Sequence, residues 1–314
     1  MNRNTTLLLR LLVYVLAVVV LGCLLAPPLY WAGSGLAAAG ILPFLEGFPF
    51  HRYFSRSIQI SALVLIWPAF RWIGITRLAE LGIAKNPHRW RDAAAGLGIG
   101  VLPVIVLAAG LLWADVYAIR SSIDPTRVVR IAGTAVVVSV LEEFLFRAVI
   151  LGLALRAMPA AAAAVFSSAV FSIVHFMRVS KDSVVEHVGW LSGFQQIPLL
   201  FSSAPPWPVL GWGLISLMIA GLLLAWATLH TRSLFLAMGI HAGWILGQQG
   251  FQSLARFRPK PPDSLLPWVG PNVVSGAVPT GVVPTLALLA TAALMSAYLM
   301  LRARRYQSAR KNAM

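Results

Sequence analysis

Apolar residues along this chain come in long blocks, not in the alternation of half-buried strands. A helix crossing a bilayer needs about 20 mostly apolar residues. By that measure eight blocks qualify: roughly 7–26, 57–76, 93–113, 129–155, 159–177, 207–230, 233–250 and 283–303. The pattern predicts an all-α, polytopic transmembrane helical bundle of about eight spans. The stretch 29–45, "LYWAGSGLAAAGILPFL", is shorter and broken by Gly and Pro. It reads as a re-entrant or surface segment, or as a ninth span. Prolines and polar residues gather in 178–206 and 251–282, which read as loops with room for short interfacial helices. Three regions follow: N-terminal transmembrane helices over 1–128, a helical core over 129–250, and a loop, last span and basic tail over 251–314.

Composition sharpens the class. The chain is 59% hydrophobic and 11% charged, whereas a soluble domain is about half apolar and a quarter charged. A net charge of +15 would raise the question of nucleic acid in a soluble protein. Here the basic residues sit mostly in short segments between apolar blocks and in the tail "LRARRYQSARK". They are read as orienting the spans and touching the lipid bilayer, with no nucleic-acid partner implied. An even number of spans puts both termini on one side. The basic tail and "TRLAELGIAKNPHRWRD" mark that side as cytoplasmic. The single cysteine, Cys23, excludes a disulfide framework and a Cys-rich zinc site. "VLGC" faintly resembles a lipoprotein cleavage site, but Leu21 is bulky there, and the block reads as an uncleaved first span.

Against this background the run "VVVSVLEEFLFRAVILGLAL" stands out. A charged side chain at the bilayer centre costs about 2.5–3.5 kcal/mol by the lowest scales. Of ten acidic residues, only Glu142 and Glu143 lie deep in an apolar block. Glu143 and Arg147 are four apart on one helical face, with the glutamate first, the favourable order for an ion pair. Glu142 points about 100° away. Two histidines join them from other blocks: His175 in "FSSAVFSIVHF" and His241 in "LFLAMGIHAGW". A Glu–Arg pair alone more often serves helix pairing than chemistry. A further carboxylate with two imidazoles on separate spans suits the holding and activation of one water, directly or through a metal. No cofactor is required by the sequence. If a divalent metal such as zinc takes part, its ligands would be Glu142, His175 and His241. Other hydrolytic designs find no support, because H-E-x-x-H, G-x-S-x-G and an aspartate deep in a span are all missing.

At these residues the sequence resembles the CPBP family of intramembrane proteases, glutamic-type enzymes that include the CAAX prenyl endopeptidases and related bacterial proteins. The family's E-E-x-x-x-R motif matches Glu142, Glu143 and Arg147, and its F-x-x-x-H matches Phe171 and His175, with Ser167 and Ser168 also family-like. The histidine opening its third motif matches His241. The resemblance spans about 130–250 and implies an integral protein of a bacterial inner (plasma) membrane. It implies that Glu142 activates a water to cleave a membrane-anchored protein or peptide. His175 and His241 would position the water or stabilise the oxyanion, and Glu143–Arg147 would be a structural pair. One departure concerns the third motif, H-x-x-x-N or H-x-x-x-D, because the fourth residue after His241 is Ile245. Gln248 lies on nearly the same face, but about 10 Å further along. That departure feeds an alternative, a non-catalytic membrane binding or immunity protein on the same scaffold. A transporter with an intramembrane carboxylate is a third reading.

Overall fold

The computed structural model describes residues 3–258 and 281–311. It is 75% helical, with almost no strand. In chain order the helices are α1 (Arg3–Ala38), α2 (Phe50–Ile73), α3 (Arg89–Trp113), α4 (Pro125–Glu143) and α5 (Gly152–Ala154). Then come α6 (Ala160–Val174), α7 (Ser192–Gln195), α8 (Trp207–Thr231), α9 (Phe235–Leu254) and α10 (Val282–Lys311). A π-helical segment, Phe144–Leu151, joins α4 to α5. Each apolar block thus falls on a helix, the fourth on α4, the π segment and α5 together. Among the described residues four helices are long and apolar enough to cross a membrane: Leu9–Ala38, Arg89–Trp113, Val209–Thr231 and Val283–Arg304. Helix α6 is apolar but shorter.

Two expectations change. The stretch 29–45 forms no ninth helix, because α1 runs through Pro27 and Pro28 to Ala38 and a 3-10 turn, Pro43–Leu45, follows. Pro27 has no N–H to give the Cys23 carbonyl four residues back. That carbonyl lies against Gly193, where a Cβ would collide with it. The supposed loop 251–282 opens as the last turn of α9 and then a short strand, and residues 259–280 lie outside the described part.

The chain forms two compact units that are not continuous in sequence. The first comprises 1–77 and 173–205. In it α1 and α2 pair antiparallel, fastened by Tyr14 Oη to the Ala62 carbonyl at 2.8 Å and Ser57 Oγ to the Gly22 carbonyl at 2.7 Å. Its core gathers Cys23, Ala26, Phe50, Phe54 and Val179. Helix α2 stops at Gly74, whose φ of 80° lets Ile75 N–H turn back to the Phe70 carbonyl at 2.8 Å.

The second unit comprises 78–172 and 206–314. Here α3 and α9 approach backbone to backbone. A Cβ at Gly96 or Gly100 would strike the carbonyl of Leu236 or Ile240, and one at Gly239 would strike that of Ala93. Small residues four apart on facing helices permit this contact, which is how helices pack where water supplies no driving force. Where α3 and α9 end, two strands pair antiparallel, β1 (Tyr117–Ile119) with β2 (Ala255–Phe257), and Ala118 faces Arg256. At the other end of α3, Asp92 is fully buried. It accepts from Asn86 Nδ2 at 2.7 Å and from Tyr298 Oη, and pairs with Arg302 at 3.2 Å. The two residues from α10 therefore tie that helix to α3.

Candidate active site

Helix α4 starts from an Asp124 cap, whose carboxylate accepts from Thr126 N–H at 2.9 Å, with Pro125 in the first turn. From there its positions sort by period. Ile131, Ala135, Ser139 and Glu143, each four apart, form one buried row. Val129, Val136, Val137 and Val140 are exposed, an apolar face suited to lipid. Thr134, Val138 and Glu142 form the half-buried flank between them. The two glutamates therefore meet different surroundings, as their 100° separation requires.

Beyond Glu143 the helix widens into the π form, and Phe146, Arg147, Ala148 and Val149 are all buried in succession. A helix that is apolar and buried all round runs inside the protein. Single π turns inside helices are frequent at functional sites. Arg147 Nε lies 3.3 Å from Glu143 Oε2, with both side chains fully shielded. One terminal nitrogen reaches the Gly221 carbonyl of α8 at 3.4 Å. Its guanidinium lies 4.7 Å from the centre of the Phe171 ring and 5.9 Å from that of Phe146. Aromatic faces of this kind attract a cation held out of water. Gly221 has no Cβ, which would press on Ser168 of α6, and Ser167 Oγ donates to the Phe146 carbonyl at 2.9 Å.

His241 enters from α9, the helix that Gly239 and Gly243 press against α3. Its Nδ1 is 2.8 Å from Glu143 Oε1, and its Nε2 is 3.8 Å from Glu142 Oε2. Phe171 closes the cluster edge-on, with its ring centre 6.2 Å from the imidazole. Glu142, Glu143, Arg147, Phe171 and His241 are thus brought together within the second unit. His175 lies in the turn directly after α6, half-buried, within the first unit. Ile245 is half-buried on α9, one turn beyond His241.

The electrostatic arrangement is lopsided. Glu143 is fully shielded and shared between a guanidinium and an imidazole, whereas the Glu142 side chain keeps 28% exposure. Among the described residues no three His, Cys, Asp or Glu side chains converge as a metal site. Glu142 and His241 offer two donors within the second unit, where a catalytic zinc takes three protein ligands. The sequence missed the Glu143–His241 bond, because nothing local says which glutamate an imidazole from another helix will choose. It also missed the buried Asp92, which sits just ahead of its apolar block.

Fold and site together define a helical integral membrane protein with a charged, shielded cluster inside its bundle. Residues 124–246, which contain every residue of that cluster, match the family model described as Rce1-like, type II CAAX prenyl endopeptidase Rce1-like. Over those residues the chain is similar to that peptidase family. No curated protein and no solved structure matches the chain.

Proposed function

We propose that this protein is an intramembrane endopeptidase in which Glu142 takes a proton from a water as that water attacks a peptide carbonyl. The observation carrying this reading is the contrast between the two glutamates: Glu143 is spent on Arg147 and His241, while Glu142 faces His241 Nε2 across 3.8 Å with part of its surface open. A base must reach both its water and the incoming substrate, and only one of the two carboxylates can. A role for His175 in positioning the water rests on the motif match at Phe171 and His175 alone. The substrate is a membrane-anchored protein or peptide. The scaffold is a bundle of about eight spans in a bacterial inner membrane, with both termini cytoplasmic, supported by the apolar blocks and the Lys/Arg distribution.

The test is cleavage of lipid-anchored reporter peptides, prenylated and unprenylated, by protein reconstituted in vesicles. The wild type should cut and Glu142→Gln should not. Equal rates for the two proteins would remove Glu142 from the chemistry. Binding without cleavage by the wild type would return the protein to the binding or immunity class that Ile245 brings into view.

A further inference from the structure

Glu143 matches the family motif as half of a structural ion pair, but its second oxygen has a separate partner. Oε1 is 2.8 Å from His241 Nδ1 while Oε2 faces Arg147. An ionised carboxylate only accepts hydrogen bonds. Paired with the Arg147 cation, Glu143 therefore needs the proton to sit on Nδ1. In a neutral imidazole Nε2 is then left with a lone pair and no hydrogen. That nitrogen is the one turned toward Glu142.

We infer that Glu143 is a positioning residue that locks His241 as the Nδ1–H tautomer, so that Nε2 is a hydrogen-bond acceptor for the attacking water and not a donor to the oxyanion. This deepens, and rests on, the peptidase reading. Two acceptors 3.8 Å apart are too far for a direct bond but suit one water that donates an O–H to each. Its oxygen lone pair then forms the new C–O bond. The carbonyl π pair moves onto the carbonyl oxygen, and Glu142 receives the water's proton. Collapse of the adduct breaks the C–N bond, and that proton leaves with the amine. His241 keeps its Nδ1 proton throughout. The oxyanion must find its donor on another group, and Ile245, one turn along the same helix, has none to give.

The tautomer can be read without any substrate. The protein's six histidines are labelled with nitrogen-15 in the full chain, in lipid nanodiscs. The His241 signal is identified by elimination, replacing the other five singly. The two ring nitrogens of a neutral imidazole resonate far apart according to which carries hydrogen. Hydrogen on Nδ1 alone is expected for His241 in the wild type, and hydrogen on Nε2 there, by itself or together with Nδ1–H, would overturn the inference. The variant Glu143→Leu with Arg147→Met removes both buried charges together and should release the tautomer. It should also lower kcat by about 100- to 10,000-fold, with KM within about two-fold. Persistence of Nδ1–H in a folded double variant would also overturn it. If the double variant does not fold, the wild-type spectrum still decides. An absence of cleavage would defeat the peptidase reading and leave the spectrum untouched, so the two failures are distinguishable.

Discussion

Within the charged cluster, adjacent residues should fail in different ways. Glu142→Gln keeps the volume and removes the base, so turnover should vanish while the thermal midpoint holds. Glu143→Gln leaves Arg147 facing a neutral amide in a site fully shielded from solvent, and breaking a shielded pair costs about 3–5 kcal/mol. Its signature should be a lower thermal midpoint and poorer yield, read by melting in detergent. Ile245→Asn tests whether an amide one turn from His241 supplies the donor the site lacks. A well-placed oxyanion donor is worth about 100- to 1,000-fold, so kcat should rise. A fall would show that the pocket is built around the isoleucine. The motif residues were readable because charge inside an apolar block is anomalous on its own. Their partnership was not, since Glu143 and His241 are 98 positions apart and either glutamate was within an imidazole's reach.

Among the helices, the contact between α3 and α9 sets where His241 stands. Gly239→Ala would place a methyl against the Ala93 carbonyl, and neither backbone can yield without moving the whole helix. Overpacking of this kind costs about 1–3 kcal/mol, and activity should drop with stability as His241 is displaced. Gly98, on α3, has nothing near the position of a Cβ, so Gly98→Ala should be neutral or gain up to about 1 kcal/mol from helix propensity. Equal melting shifts in the two variants would contradict the packing. The spacings Gly96–Gly100 and Gly239–Gly243 stood in the sequence as a readable signal. The helices themselves were legible from their apolar blocks. The β1–β2 pairing was not, because three-residue strands carry too little pattern and their partners are far apart in the chain.

Across the whole molecule the open quantity is orientation. With eight spans, the Lys/Arg bias would place segment 178–206 on the exported side. Cysteines at Ser183 or Ser202, in a Cys23→Ser background, should react with a membrane-impermeant thiol reagent on intact cells. Labelling only after lysis would place the segment in the cytoplasm. The background is a mild change by volume, although Cys23 is packed in the α1–α2 core. Hydropathy reveals which blocks are greasy but not how each is oriented, and for that reason orientation needs chemistry from outside the cell.

The π-helical segment Phe144–Leu151 also bears on how this chain tolerates changes of length. In an α-helix, deleting one residue swings everything downstream by about 100° and takes packing with it. A π turn closes through i→i+5 bonds and so holds roughly one residue more than an α-helix would use over the same rise. Excising Ile150, which lies past Arg147 and is only half-buried, should let the segment tighten to α form with α5 and α6 nearly in register. A one-residue deletion there should be milder than the same deletion in α4, as measured by yield and melting. The segment is thus a place where this chain should lose a residue without rewriting the bundle.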